Sequence, residues 1–103
     1  MMHMPPEVHN IQSVLDIVEI AKAIRLVDLG DSAVKVASLN GEYPFHSHDV
    51  DEVFYIVEGE LMMDLDGSDS VPLGTGDIIK VPANLRHRTR TSTPSRVLLI
   101  GPQ

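Results

Sequence analysis

The sequence predicts an all-β domain, a jelly-roll or closed barrel of short antiparallel strands with a short helix before it. Three observations predict this. From Ala23 onward the apolar residues fall into short or alternating runs separated by Gly, Pro, Asn and Asp, as in compact all-β domains. Eight such runs in about 77 residues leave no room for helical crossovers, so the sheets are mostly antiparallel. Strands this short would expose many edges unless the sheets close on themselves.

Taken in order, Asn10 to Lys22 places Ile11, Val14, Leu15, Val18 and Ala21 at helical spacing, with Asn10 or Ser13 as the cap. Ile17 and Ile20 widen that stripe, so part of the segment also fits a strand packed on the main body. The strand runs are Ile24–Leu29, Val34–Leu39, Tyr43–His48, Val53–Glu58, Leu61–Leu65, Ile78–Val81, Arg86–Thr91 and Arg96–Ile100. They break at Gly30-Asp31, Asn40-Gly41, Asp49–Asp51, Glu58-Gly59-Glu60, Asp66-Gly67, Gly74–Gly76, Pro82–Asn84 and Thr93-Pro94. Asp66-Gly67 is the strongest hairpin signal. One of Met62 and Met63 fills the core, and alternation alone leaves open which.

The 103 residues read as one folded unit, a 1–22 segment with the helix and a 23–103 barrel, small enough that pairing into a homodimer would help bury apolar surface. A formal net charge of −7 with no Lys/Arg run argues against nucleic acid as a partner. No apolar stretch approaches the roughly 20 residues of a membrane helix. Met1–Pro6 lacks the pattern of a secretory signal, so the expected location is the cytoplasm. Without cysteine, any metal must be held by nitrogen and oxygen donors.

Such donors are present in a telling pattern. His46-Ser47-His48 on an extended segment directs both imidazoles to one face, Glu52 returns after a brief turn, and His87 arrives from a distant strand. Three imidazoles and one carboxylate suit divalent Fe, Mn, Ni, Co, Cu or Zn, while the nitrogen donors disfavour Mg²⁺ and Ca²⁺. Four protein ligands on an octahedral ion leave two positions for water, O₂ or a substrate that chelates through two oxygens.

The segment Gly41-x4-His46-x-His48-x3-Glu52-x6-Gly59 resembles the first motif of the cupins, and Gly76-x5-Pro82-x-Asn84-x2-His87 resembles the second. Together they span about half the chain, from Gly41 to Thr91. The first spacer is one residue short, Asn84 stands for a family glycine and Thr91 for a family asparagine. Asparagine tolerates the left-handed backbone, so the turn before His87 survives. The resemblance implies a double-stranded β-helix of the small single-domain kind, often homodimeric and sometimes labelled mannose-6-phosphate-isomerase-like. It also implies a divalent transition metal held by His46, His48, Glu52 and His87.

Around that centre, strand parity puts Thr89 and Thr91 on the side of His87, and Phe54 and Ile56 on the side of Glu52, which makes these four the expected pocket lining. Arg86, Arg88 and Arg90 face outward as a solvated or salt-bridged stripe, and Glu58 ends its strand away from the metal. Asp49 and Asp51 fit turn chemistry or accept an imidazole N–H; His3 and His9 fit an N-terminal surface stretch. The leading expectation is a metal-binding cupin that accepts a small polar or chelating metabolite. If it is an enzyme, it is a dioxygenase or an isomerase of sugar-like or oxo-acid substrates. No additional base stands beside the metal by parity, which weighs against a metal-assisted isomerase or lyase without excluding one, since metal-bound hydroxide or a carboxylate that leaves the metal could serve. A non-catalytic sensing module and a purely structural metal are the alternatives.

Overall fold

The computed structural model describes residues 5–20 and 22–103. His3 and Ala21 lie outside the described residues. The chain forms one short helix, α1 (Ile11–Leu15), and seven strands: β1 (Ala23–Asp28), β2 (Ser32–Glu42), β3 (Glu52–Glu58), β4 (Glu60–Leu65), β5 (Val71–Gly74), β6 (Ile78–Val81) and β7 (His87–Pro102). All strand pairs are antiparallel. They follow the order β1-β2-β7-β3-β6, with β4 also on β7 and β5 on β4. This is the expected all-β fold of antiparallel strands with a short N-terminal helix.

The long strand β7 organises it. Its first part, His87–Arg90, pairs with β4, while Arg96–Ile100 lies between β2 and β3. The sequence reads these as two strands broken at Thr93-Pro94, but Pro94 sits at the exposed passage between the two pairings, where its missing N–H costs no ladder bond. Conversely, Tyr43–His48 is not a regular strand. Pro44 removes a donor, and the segment keeps the His46–His87 bridge plus a bond from Tyr43 N–H to the Thr89 carbonyl, 3.2 Å. The strand β5 escapes a pattern-based reading because Pro72 and Gly74 interrupt it; it survives as an edge, paired to β4 alone.

Only Ile11–Leu15 of the 10–22 segment is α-helical. The Asn10 side chain accepts from Ser13 N–H at 2.9 Å, and at the other end the N–H of Asp16 bonds the Gln12 carbonyl while those of Ile17 and Val18 bond the Val14 carbonyl. Beyond it the chain turns extended and Ile20 bridges Ser38, so the widened stripe marks a strand-like contact rather than more helix. The interior is filled by Phe54, Ile56, Val81 and Val97 from one sheet and Leu61, Met63 and Leu73 from the other. Met63 is the inward methionine.

Candidate metal centre

At the end of the barrel where β3 and β7 begin, the side chains of His46, His48, Glu52 and His87 converge, each offering a ligand atom within 4.8 Å of all the others. Local backbone chemistry sets their orientation. His46 and His87 face each other across a narrow antiparallel bridge, His46 N–H to His87 O at 2.9 Å and His87 N–H to His46 O at 2.8 Å. Each ring then places Nδ1 against the carbonyl two residues earlier, Pro44 at 3.0 Å and Leu85 at 2.8 Å. A carbonyl only accepts, so both Nδ1 atoms carry the proton and both Nε2 atoms are left as the inward lone pairs. The imidazole N–H groups thus go to backbone carbonyls, not to Asp49 or Asp51.

Glu52 is 6% exposed and His87 2%, whereas His48 is half-buried and His46 exposed. The His87 Nε2 lies 3.0 Å from Glu52 Oε1, and the His48 Nε2 3.8 Å from the same oxygen. A shared proton or a divalent cation between imidazole and carboxylate satisfies both atoms in this dry setting, and three imidazoles with one carboxylate are a donor set that a divalent transition metal takes. The residues therefore fit a metal by their chemistry as well as their spacing. The cluster is dry on the Glu52 side and open to solvent on the His46 side.

The turn before His87 is held from both directions. Asn84 adopts φ +69°, the left-handed conformation that the family glycine would take, and its N–H bonds the His48 carbonyl at 2.6 Å. Asp51 accepts from Ala83 N–H at 2.9 Å and pairs with Lys80 at 3.4 Å. That N–H first, and the ammonium second, hold its carboxyl below the usual carboxylate range. The segment carrying Glu52 and the turn leading to His87 are thereby tied together.

Phe54 and Thr89 occupy the inner row next to the donors, the Phe54 ring centroid 6.3 Å from that of His87. Ile56 and Thr91 share the same inward faces, four residues and about 13 Å along their strands from Glu52 and His87. The Thr91 hydroxyl accepts from Gly41 N–H at 2.9 Å, so the residue replacing the family asparagine holds a glycine at φ +95°. Outside the barrel, Arg90 grips Asp64 through two bonds of 3.0 Å, and Arg88 adds one of 2.8 Å while reaching Glu42 at 3.1 Å. Those partners make the arginine stripe a salt-bridged surface, with Phe45 stacked under Arg88 at 4.7 Å. A hollow of about 500 Å³ lined by Glu60, Met62, Pro72, Arg90 and Thr91 includes none of the four donors, so Thr91, expected beside the metal, lines a different hollow that carries no comparable set of ligands.

One contributor to the site was not read from the sequence. Gly101, in β7, backs the carboxylate of Glu52 so closely that a Cβ there would lie 2.9 Å from Oε2. A lone glycine inside a strand pattern is the signal that marks such a close approach.

A family model described as a cupin domain matches residues 36–101. The uncharacterized Bacillus subtilis protein YdbB is 37% identical over 65 residues, 62% of this chain and 58% of YdbB. Dimethylsulfoniopropionate lyase DddQ of Ruegeria pomeroyi is 39% identical over 49 residues, 48% of this chain and 24% of DddQ. The matches thus span less than two thirds of either curated relative. Among solved structures, a cupin-2 domain containing protein from Shewanella frigidimarina is similar with a TM-score of 0.86, at 22% identity, covering 93% of this chain and 95% of that one.

Proposed function

The chain belongs to the cupin family, and from that premise we propose that it holds a divalent transition metal through His46, His48, Glu52 and His87 and presents the remaining coordination positions to a small chelating metabolite. The observation that carries this reading is the facing of His87 Nε2 and Glu52 Oε1 at 3.0 Å, with the other ring nitrogen committed to Leu85 O. When bound, such an ion supplies Lewis acidity to chelated substrate oxygens and, if it is iron, a centre for dioxygen chemistry.

The chain's own residues supply the rest. The carbonyls of Pro44 and Leu85 fix the tautomers, so the imidazoles need no reorganisation on loading. Phe54 and Thr89 form the inner wall nearest the donors, with Ile56 deeper in the core and Thr91 on the separate hollow. The exposed flank of His46 and His48 is the side from which a ligand reaches the centre. Dioxygenase and isomerase chemistry both fit this arrangement, and the likeness to DddQ adds carbon–sulfur lyase chemistry as a third form to assay.

The burial of Glu52 and His87 favours one further reading, a metal that only staples strands together. Protein purified without a histidine tag separates the two. Stoichiometric metal that strips without unfolding, with oxygen uptake or turnover in the presence of metabolites, supports the open catalytic centre. Unfolding on chelation supports the staple, and no metal at all sinks both.

Among the described residues no helix is long and apolar enough to cross a membrane. A cytoplasmic homodimer remains our proposal for the protein's setting. It is supported by an outer sheet row in which Tyr55 and Ile78, register partners on β3 and β6, lie exposed. Light scattering that reports a monomer at micromolar concentration would overturn the dimer.

A further inference from the structure

We propose that Lys35, with Arg25 beside it, is an anion-recognising element on the inner sheet face beside the metal donors, so that the small ligand of this site carries a negatively charged group in addition to the oxygens that chelate the metal. The inference rests on the metal-binding reading above and narrows its ligand class.

Strand register places the lysine. Lys35 is the Cα partner of Leu99, and Leu99 is the partner of Phe54. Directly opposed residues share a face of the sheet. Phe54 is buried in the core and Leu99 packs against it, so that face is the barrel interior. The next inner row toward the donors contains Ala33 and Gly101, the glycine lying against Glu52. Lys35 therefore stands one row from a metal donor and in the same row as the aromatic wall. Partly buried, it has a flexible four-carbon stem that can lie along apolar neighbours while the ammonium stays solvated near the donor end of the barrel.

The charge pattern is the independent observation. Lys80 pairs with Asp51, Arg86 with Asp66, Arg88 and Arg90 with Asp64, and Arg96 with Asp16. Among the described residues Lys35 has no carboxylate within ion-pair distance, and Arg25, like the exposed Lys22, makes no ion pair, although the charge of Arg25 is felt by Asp28 and the chain carries 15 Asp and Glu against 8 Lys and Arg. The two cations are moreover direct partners in the β1–β2 ladder, a placement of like charges that costs stability. An anionic ligand would relieve that repulsion and give the inner cation its counter-charge.

Two probes with the same 2-oxo-carboxylate chelating end test this, 2-oxoglutarate with a distal carboxylate and 2-oxobutyrate without one. Cobalt-loaded protein, with metal content measured first, is titrated with each by calorimetry. The wild type is expected to bind 2-oxoglutarate roughly tenfold or more tighter. Lys35→Met is expected to lose that preference while keeping full metal content, and Lys35→Arg to retain part of it. Equal affinities in the wild type, a preference unchanged in Lys35→Met, or no binding of either acid would overturn the proposal while leaving metal binding intact. A wild-type protein that takes up no metal would instead remove the reading on which it stands.

Discussion

Gly101 makes the space that Glu52 fills: a methyl group on the glycine would sit 2.9 Å from the glutamate Oε2 and 3.0 Å from its Cγ. Gly101 is buried and paired with Ala33 one residue before the end of β7, and Glu52 is itself buried, so the carboxylate has little room to move aside. Gly101→Ala is expected to displace the carboxylate, weakening metal binding by about ten- to a hundredfold. Overpacking should lower stability by about 1–3 kcal/mol without unfolding the barrel. Competition titration against a coloured chelator reads the first effect and urea unfolding the second. Metal affinity equal to wild type would show that Glu52 needs no such space.

Asn84 bears the strain of the turn that delivers His87. Its φ of +69° is a conformation that costs an ordinary L-residue about 1–2 kcal/mol, less for asparagine and nothing steric for glycine. Asn84→Ala is therefore expected to destabilise by about 1 kcal/mol, and Asn84→Gly to be neutral or slightly stabilising. Denaturant midpoints of the three proteins should rank Gly at or above Asn, and Asn above Ala. An alanine variant as stable as wild type would mean that the turn relaxes out of the left-handed region.

The sequence-legible parts were those governed by local chemistry. Inward parity on β3 and β7 followed from alternation, and the His46, His48, Glu52 and His87 cluster from spacing and family resemblance. Less visible were features decided by the partner strand. Pro94 looks like a break until β7 is seen to change partners there, and Pro72 looks like a loop until β4 pairs with it. Pro44 hides the pairing of His46, although extended backbone without a full ladder still brings the two imidazoles together. The helical spacing that continues to Val18 and Ala21 suggests a longer helix than Ile11–Leu15, because periodicity does not show where the backbone ladder ends, while the widening at Ile17 and Ile20 marks the extended stretch in which Ile20 bridges Ser38.

His48 provides the cleanest test of what the cluster is for. It is half-buried and makes no ring hydrogen bond to a backbone carbonyl among those that orient the other two imidazoles, so its removal opens no sealed cavity. His48→Ala is expected to abolish stoichiometric metal while leaving the circular dichroism of the barrel and most of its stability in place. His87→Ala, by contrast, leaves a buried Glu52 without its partner and should cost both metal and about 1–3 kcal/mol of stability. Comparable unfolding of the two variants would point to a metal that serves the fold alone.

Acid should expose the value of the Asp64 clamp. Arg90 first, then Ser70 and Arg88, hold this carboxyl well below its usual range. A carboxylate with a depressed folded pKa stabilises fully above its unfolded value of about 3.9 and loses that contribution as pH falls toward the folded one. Asp64→Asn removes the effect and leaves two arginines to water. Because those guanidiniums are already partly solvated, the cost at pH 7 should lie near the lower end of about 1.5–3 kcal/mol. Wild type and variant are thus expected to differ most in melting temperature at neutral pH and to converge below about pH 3.9. Asp28 and Asp51 add acid sensitivity of their own, but equally to both proteins, so the difference isolates Asp64. Coincident melting temperatures at pH 7 would mean that the clamp contributes nothing to stability, and an offset that persists undiminished down to about pH 2 would mean that its contribution does not depend on ionised Asp64.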